Sequence, residues 1–462
     1  MHQPSTAATG TPPATGGARR ALTTGDRAFL HYSRLHPGEY LEAGVVLVLD
    51  GPALGVEELR AHVARRLRAA PALTERLAPP GAPVADLGWE TDPTLDLDHH
   101  VTVEDLPPGG GTPALRAAMD LLAAQPLAAQ PLAAAPLAAQ RPLWRLTLLR
   151  GHSPATSAVA YRFSHIHQDG AALHQALHLL FGADRDPALR SLPAAFPSPR
   201  ARDHARMAAA LLRSSTRSRG LAAWGGPPRG EARHSFALAD LDLLRGLGRR
   251  HGATVNDVYL AALAGALRAW SRPEWDRGRR PLHAAMPINL RTRGESEMLS
   301  NITFGTRIRL PCDEDDPRRR LARVAGQTRR VRAAGGLRAV QRRILEAVPP
   351  DAPAAMLAHI ASAGARPTRA ALVASNVGTM RGPYTVAGRP VRTLLGMPPL
   401  FVGRQYLSAA LFGLDTQVCA AFAASASVPG HDALPDLWLA DLAALENAGT
   451  PGRRRRIRRT RG

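Results

Sequence analysis

The stretch that most restricts how this chain folds runs from Ala158 to Leu180, AVAYRFSHIHQDGAALHQALHLL. Ala158 to Phe163 is apolar, with Tyr161 and Phe163, which predicts a buried strand. Leu173, Leu177 and Leu180 recur at helical spacing, which predicts a helix with one core face. Between strand and helix stands His165-Ile166-His167-Gln168-Asp169-Gly170. The corner holds a histidine and an aspartate four residues apart, and Gly170 permits a tight backbone because it has no Cβ to clash. Imidazole titrates near neutral pH, so His165 is a candidate general base. His167 faces the other way if the strand register continues. Taken alone, the six residues read at least as well as a packed histidine beside a turn-forming Asp-Gly pair.

At 462 residues the chain exceeds one ordinary core, so two α/β domains of about 200 residues are expected. No uninterrupted apolar run reaches the ~20 residues of a membrane-spanning helix. The N-terminus lacks a hydrophobic signal core. Cys312 and Cys419 are far apart and carry neither metal nor redox spacing. The expectation is a reduced, cytoplasmic protein without disulfides. The net charge of +21 rests on arginine alone, since the sequence contains no lysine. Arginines crowd the tail from Arg453 to Arg461 and recur at Arg318-Arg319-Arg320 and Arg329-Arg330. Such a surface suits a phosphorylated cofactor, an anionic membrane or nucleic acid, or is simply solvated. No zinc-finger or stacking-aromatic motif accompanies it, which disfavours nucleic acid.

In chain order, residues 1–20 are small and polar and are expected to be disordered. Residues 21–186 form a first domain. It has a short helix after Thr23-Thr24-Gly25-Asp26, a strand at Val45–Leu49 and a helix from Val56 to Leu67. His99-His100 invites a metal reading, but no third ligand at close spacing supports it, so no metal is expected. Residues 122–140 repeat the unit LAAQP, whose prolines would break a helix, and read as a low-complexity insertion on the surface. Residues 187–230, rich in Pro, Arg, Ser and Gly and broken by one short helical piece around Met207 to Leu212, read as a linker. Residues 231–450 form the second domain, opening with a helix at Leu241 to Arg250. A second helix follows Thr254-Val255-Asn256-Asp257. Residues 451–462 are a basic tail.

Several stretches, in order, resemble the bacterial wax ester synthase/diacylglycerol acyltransferase family. That family belongs to the CoA-dependent acyltransferases built like chloramphenicol acetyltransferase. Ser164, His165, Asp169 and Gly170 align with its H-H-x-x-x-D-G signature. Pro142-Leu143-Trp144 matches its P-L-W motif, and Asn256-Asp257 its N-D motif. Met286 to Arg291 resembles M-V-P-V-S-x-R, Leu299-Ser300-Asn301 the following G-N segment, and Ser375-Asn376-Val377 the S-N-V-P-G-P block. The resemblance covers roughly residues 21–447. Ser164 stands in place of the first signature histidine, and Gly378-Thr379-Met380 interrupts P-G-P.

The resemblance implies two chloramphenicol acetyltransferase-like domains of mixed sheet with helices, and a channel at their interface. It implies acyl transfer from acyl-CoA to diacylglycerol or a long-chain alcohol, with acyl-CoA as co-substrate and no bound cofactor. His165 would be the general base, with Asp169 turned inward to an arginine as structural support beside Gly170. Ser164, Asn256, Asp257, Pro142, Leu143, Trp144, Ser375 and Asn376 would bind substrate or support the site. Asn256 is equally a simple helix N-cap. Acylation of a secondary metabolite and a non-catalytic lipid-binding relative stay open. So does peripheral contact with an anionic membrane or lipid droplet.

Overall fold

The computed structural model describes residues 19–39, 41–125, 127, 141–183, 192–275, 281–333 and 335–449. The expectations for residues 1–18, for most of the LAAQP repeat and for the basic tail lie outside the described residues. Disorder was expected as far as residue 20, but Arg20–Ala21 is a short strand whose Arg20 pairs with Trp89. Its guanidinium donates to Glu75 Oε1 at 3.1 Å and Ser300 Oγ at 2.7 Å, which anchors the start of the chain.

Two six-stranded mixed sheets carry the fold. The first runs in the order Thr385–Val386, Arg389–Met397, Glu42–Asp50, Thr156–Ser164, Trp144–Arg150 and Val101–Asp105. Only its last pair is parallel. The second runs in the order Thr303–Leu310, Leu282–Asn289, Leu372–Met380, Leu407–Leu414, Gln417–Ser425 and Ala232–Asp240. Leu372–Met380 is parallel to both of its neighbours. Arg20–Ala21, Gly88–Thr91 and Glu75–Ala78 make a small antiparallel sheet.

Strand Arg389–Met397 comes from the second half of the chain but pairs antiparallel with Glu42–Asp50, Leu394 opposite Leu47. One core therefore joins Val46 and Tyr161 of the first sheet to Phe412 and Ala421 of the second. Gly396 lies at this seam. A Cβ there would come within 2.1 Å of the Phe412 ring, so only glycine lets the two layers approach. A second core surrounds the helix Val255–Trp270, buried along most of its length against helix Leu434–Asn447 and the second sheet.

Three local expectations change. The strand Ala232–Asp240 precedes the helix Leu241–His251, so the second half opens on a sheet edge. The short helical piece expected around Met207 to Leu212 is a helix of 14 residues, Ala201–Ser214. The helix Gly111–Ala124 runs into the first LAAQP unit and buries Leu122, because the first proline of the repeat comes only at residue 126. Among the described residues, no helix is long and apolar enough to cross a membrane.

Candidate active site

Strand Thr156–Ser164 is buried along nearly its whole length. Its end is fixed by a hydrogen bond from the Ser164 amide to the Leu143 carbonyl, 2.9 Å. That carbonyl belongs to Pro142-Leu143-Trp144. Trp144 is buried, and its indole donates to the Leu73 carbonyl at 2.7 Å. The tryptophan motif thus anchors the strand beside Thr156–Ser164 beneath the corner. The Ser164 hydroxyl accepts from the Ile166 amide at 3.3 Å and works within the turn.

Asp169 caps the helix Gly170–Phe181, its Oδ1 accepting from the amides of Ala171 and Ala172 at 3.1 and 3.0 Å. Its Oδ2 accepts from the Arg291 guanidinium at 2.8 Å and from the Ile302 amide at 2.9 Å. The two side chains are 2% and 1% exposed. Against the upward push of burial, Arg291 with the Ala172 and Ile302 amides holds the carboxyl below the ordinary carboxylate range. The aspartate therefore ties the corner of the first half to the second. It makes no hydrogen bond to His165.

The side-chain partner of His165, beside a contact with its own backbone, is Asn301, 136 positions away, whose Oδ1 lies 3.0 Å from His165 Nδ1. Asn301 Nδ2 donates to the carbonyls of His165 at 2.8 Å and Ile166 at 3.0 Å, and to Asp26 Oδ1 at 3.1 Å. Phe29 packs on the imidazole, with ring centroids 4.4 Å apart. His165 as a whole is only partly buried. Burial lowers its pKa below the usual histidine value against the opposing pull of Asp169, so neutral imidazole is the resting form at neutral pH.

His167 is buried against the Trp89 ring, 4.3 Å between centroids, and Glu75, 3.6 Å away. His100 is also buried, its Nδ1 2.8 Å from the Trp144 carbonyl, with its pKa pushed down to about 4 by burial. Among the described residues no group of three or more His, Cys, Asp or Glu side chains could hold a metal ion. Cys312 and Cys419 are buried and unpaired.

The reason given for Gly170 is corrected. Its φ is not in the left-handed region, and a Cβ would rest 3.5 Å from Val377, an ordinary contact. What is close there is a side chain of the opposite half. The simple N-cap reading of Asn256 is corrected as well. Thr254 caps the helix, its hydroxyl accepting from the Asp257 amide while Asp257 accepts from the Thr254 amide. Asn256 instead meets Asn376, whose Nδ2 donates to its Oδ1 at 3.3 Å. Asn376 Oδ1 accepts from the Gly378 amide at 2.9 Å, across a bulge where Gly378 has φ +96°. Ser375 lies one residue earlier on the same strand. The fold thus brings the Asn256 and Asn376 motifs together, next to Gly170 through Val377. Pro142, Leu143, Trp144 and Asp257 act from behind, through backbone and buried contacts. Asn301, Asp26 and Arg291 carry the geometry, yet none was named as a site residue. Asn301 and Arg291 fall inside motif stretches, which was the available signal. Asp26 had only its place in the stretch before the first expected helix.

The comparisons with known proteins agree over most of the chain. Residues 22–229 match the wax ester synthase/diacylglycerol acyltransferase catalytic domain, and residues 301–446 match the C-terminal domain of the same family. A protein of Mycobacterium tuberculosis named a probable diacylglycerol O-acyltransferase, tgs1, is 27% identical over 415 residues, covering 82% of this chain and 85% of that one. The wax ester synthase/diacylglycerol acyltransferase of Marinobacter aquaeolei superposes with a TM-score of 0.62 at 20% identity, covering 93% of this chain and 99% of that one. The starter condensation domain of rhizomide synthetase, solved with C8-CoA and Leu-SNAC, superposes at 0.60 with 15% identity, covering 94% and 96%. The two-sheet architecture is shared with both structures. With both domains of the family model matched in order, the chain belongs to the wax ester synthase/diacylglycerol acyltransferase family and is an acyltransferase.

Proposed function

We propose that this acyltransferase moves a fatty acyl group from acyl-CoA to the hydroxyl of diacylglycerol or a long-chain alcohol, with His165 as general base. An alcohol is a weak nucleophile and needs a base as it attacks. In this reading the acceptor oxygen bonds to the thioester carbonyl carbon while His165 Nε2 takes its proton. The C–S bond then breaks, and the departing sulfur receives that proton from His165, leaving ester and free CoA thiol. No covalent enzyme intermediate is required, and no bound cofactor takes part. The observation that carries the proposal is the imidazole itself. It is bonded at Nδ1 to Asn301, only partly buried, and held by burial below the usual histidine pKa.

Asp169 supports the site by stitching the corner to Arg291 and Ile302. The seam where Gly170 faces Val377 and Asn256 meets Asn376 would form one wall of a channel that admits acyl-CoA and acceptor to His165. The tgs1 relative, named for diacylglycerol, favours that acceptor. Ser164 and the Gly378 bulge are departures near the same seam and favour testing a specialised alcohol beside it. A water-insoluble acceptor would be met at an anionic membrane or lipid droplet, for which the arginine excess is suited.

The test is CoA release from palmitoyl-CoA with diacylglycerol, a long-chain alcohol or no acceptor, in parallel with His165→Ala. Acceptor-dependent release that falls by about 10²–10⁴-fold in the variant supports the proposal. Silence with every lipid acceptor removes the storage-lipid reading and leaves a specialised acceptor or lipid binding without catalysis. Full activity of the variant removes the general base.

A further inference from the structure

We infer that Asp26 is a positioning residue for His165, acting through Asn301 to choose which ring nitrogen carries the proton. This rests on the reading of His165 as the base. Asp26 belongs to the helix Thr24–Leu35 and is fully buried. Its carboxylate faces donors alone. Oδ2 accepts from the Thr23 amide at 3.1 Å and the Trp89 indole at 3.2 Å. Oδ1 accepts from the Asn301 amide at 2.8 Å and from Asn301 Nδ2 at 3.1 Å.

A side-chain amide is nearly symmetric in shape, so its orientation is read from its neighbours. One end of the Asn301 amide faces three oxygens: Asp26 Oδ1 and the carbonyls of His165 and Ile166. Only the NH₂ group can sit there, because the amide oxygen would confront three acceptors without a proton among them. The oxygen is thereby turned to His165. It can only accept, so Nδ1 must donate and carries the proton of the neutral ring. Nε2 is left with the free lone pair. Of the three oxygens that hold the NH₂ end, Asp26 supplies the one formal negative charge. It reaches the base from the N-terminal helix without touching it.

The resting protein, labelled with ¹⁵N-histidine, tests the first half. The His165 signals, assigned by their loss in His165→Ala, are expected to show a protonated Nδ1 and an unprotonated Nε2. Protonation at Nε2 in the neutral ring would overturn the inference. In Asp26→Asn the carboxylate is replaced by an amide that competes for the same donors. His165 is then expected to populate both tautomers, and kcat to fall by about 10²-fold, while KM for palmitoyl-CoA stays within about threefold. An unchanged tautomer and kcat in folded Asp26→Asn would also overturn it. If that variant does not fold, Asn301→Leu removes the Asn301 acceptor and leaves the ring only its contact with its own backbone; it is expected to give the same mixed tautomers, whereas retention of the wild-type tautomer counts against the inference. The spectrum is recorded without turnover, so its outcome is independent of whether His165→Ala abolishes activity.

Discussion

Two buried aspartates sit at the starts of two helices, and they do different work. Asp169 begins the helix Gly170–Phe181, and Asp257 lies in the first turn of Val255–Trp270. Both accept backbone amide hydrogen bonds that leave a helix terminus satisfied, and both are held below the ordinary carboxylate range. The difference is in the arginine. Arg291 reaches Asp169 with 1% of its side chain exposed, whereas Arg332 reaches Asp257 at 3.3 Å with 41% exposed. Water and salt screen the second pair and not the first. Asp257 draws its remaining support from the Thr328 hydroxyl on the neighbouring helix, inside one half of the molecule. Asp169 joins the two halves beside His165. The same local device therefore serves as a seam in one place and as a helix brace in the other.

That contrast can be broken by substitution. Asp169→Ala is expected to lose about 3–5 kcal/mol of unfolding free energy, because it leaves Arg291 charged and buried without its carboxylate. Chemical denaturation measures this, and a loss under about 1 kcal/mol would show that the pair does not hold the halves together. The pH dependence sharpens the point. The folded-state pKa of Asp169 is lowered, so its stabilisation is complete above the unfolded value near 3.9 and is lost as pH falls through the folded value. Wild type should therefore lose stability in this acid range more steeply than Asp169→Asn, as denaturation curves between pH 7 and pH 3 would record. Equal slopes would contradict the assignment.

Asp257→Ala should cost less, about 1–2 kcal/mol, the range of a lost helix cap, since Arg332 can turn to solvent. Its effect on kcat should be small if the brace is local. A kcat collapse with retained stability would instead place Asp257 in the chemistry. The smallest change is expected for Gly170→Ala. The new methyl meets Val377 at ordinary contact distance and the backbone is unstrained, so stability should move by no more than about 0.5 kcal/mol in a thermal melt. A larger loss would mean that the seam at Val377 is tighter than a 3.5 Å contact implies.

Much of this was legible in the sequence because it depends on neighbours along the chain. The apolar run before His165 and the spacing of Leu173, Leu177 and Leu180 give the strand and helix whatever lies around them. The helix at Val56–Leu67 follows from its periodicity in the same way. Two short stretches were harder. Arg389–Met397 alternates poorly, and its register is supplied by the Glu42–Asp50 strand more than 300 positions earlier. Ala232–Asp240 is an edge strand that buries four consecutive residues, His234 to Ala237, two of them polar, so it shows no alternation along the chain.

The candidate site divides along the same line. Residue order alone determined that a histidine, an aspartate and a glycine share one corner, since a strand turning into a helix leaves them nowhere else to go. The family resemblance, not residue order, implied an arginine partner for Asp169 without saying which. Only the tertiary structure decided that this partner is Arg291, that Asn301 faces His165, and that Asp26 stands behind Asn301. Side-chain hydrogen bonds between residues more than a hundred positions apart leave no periodic trace in a sequence. They are fixed when two sheets pack and the polar groups caught between them must find partners.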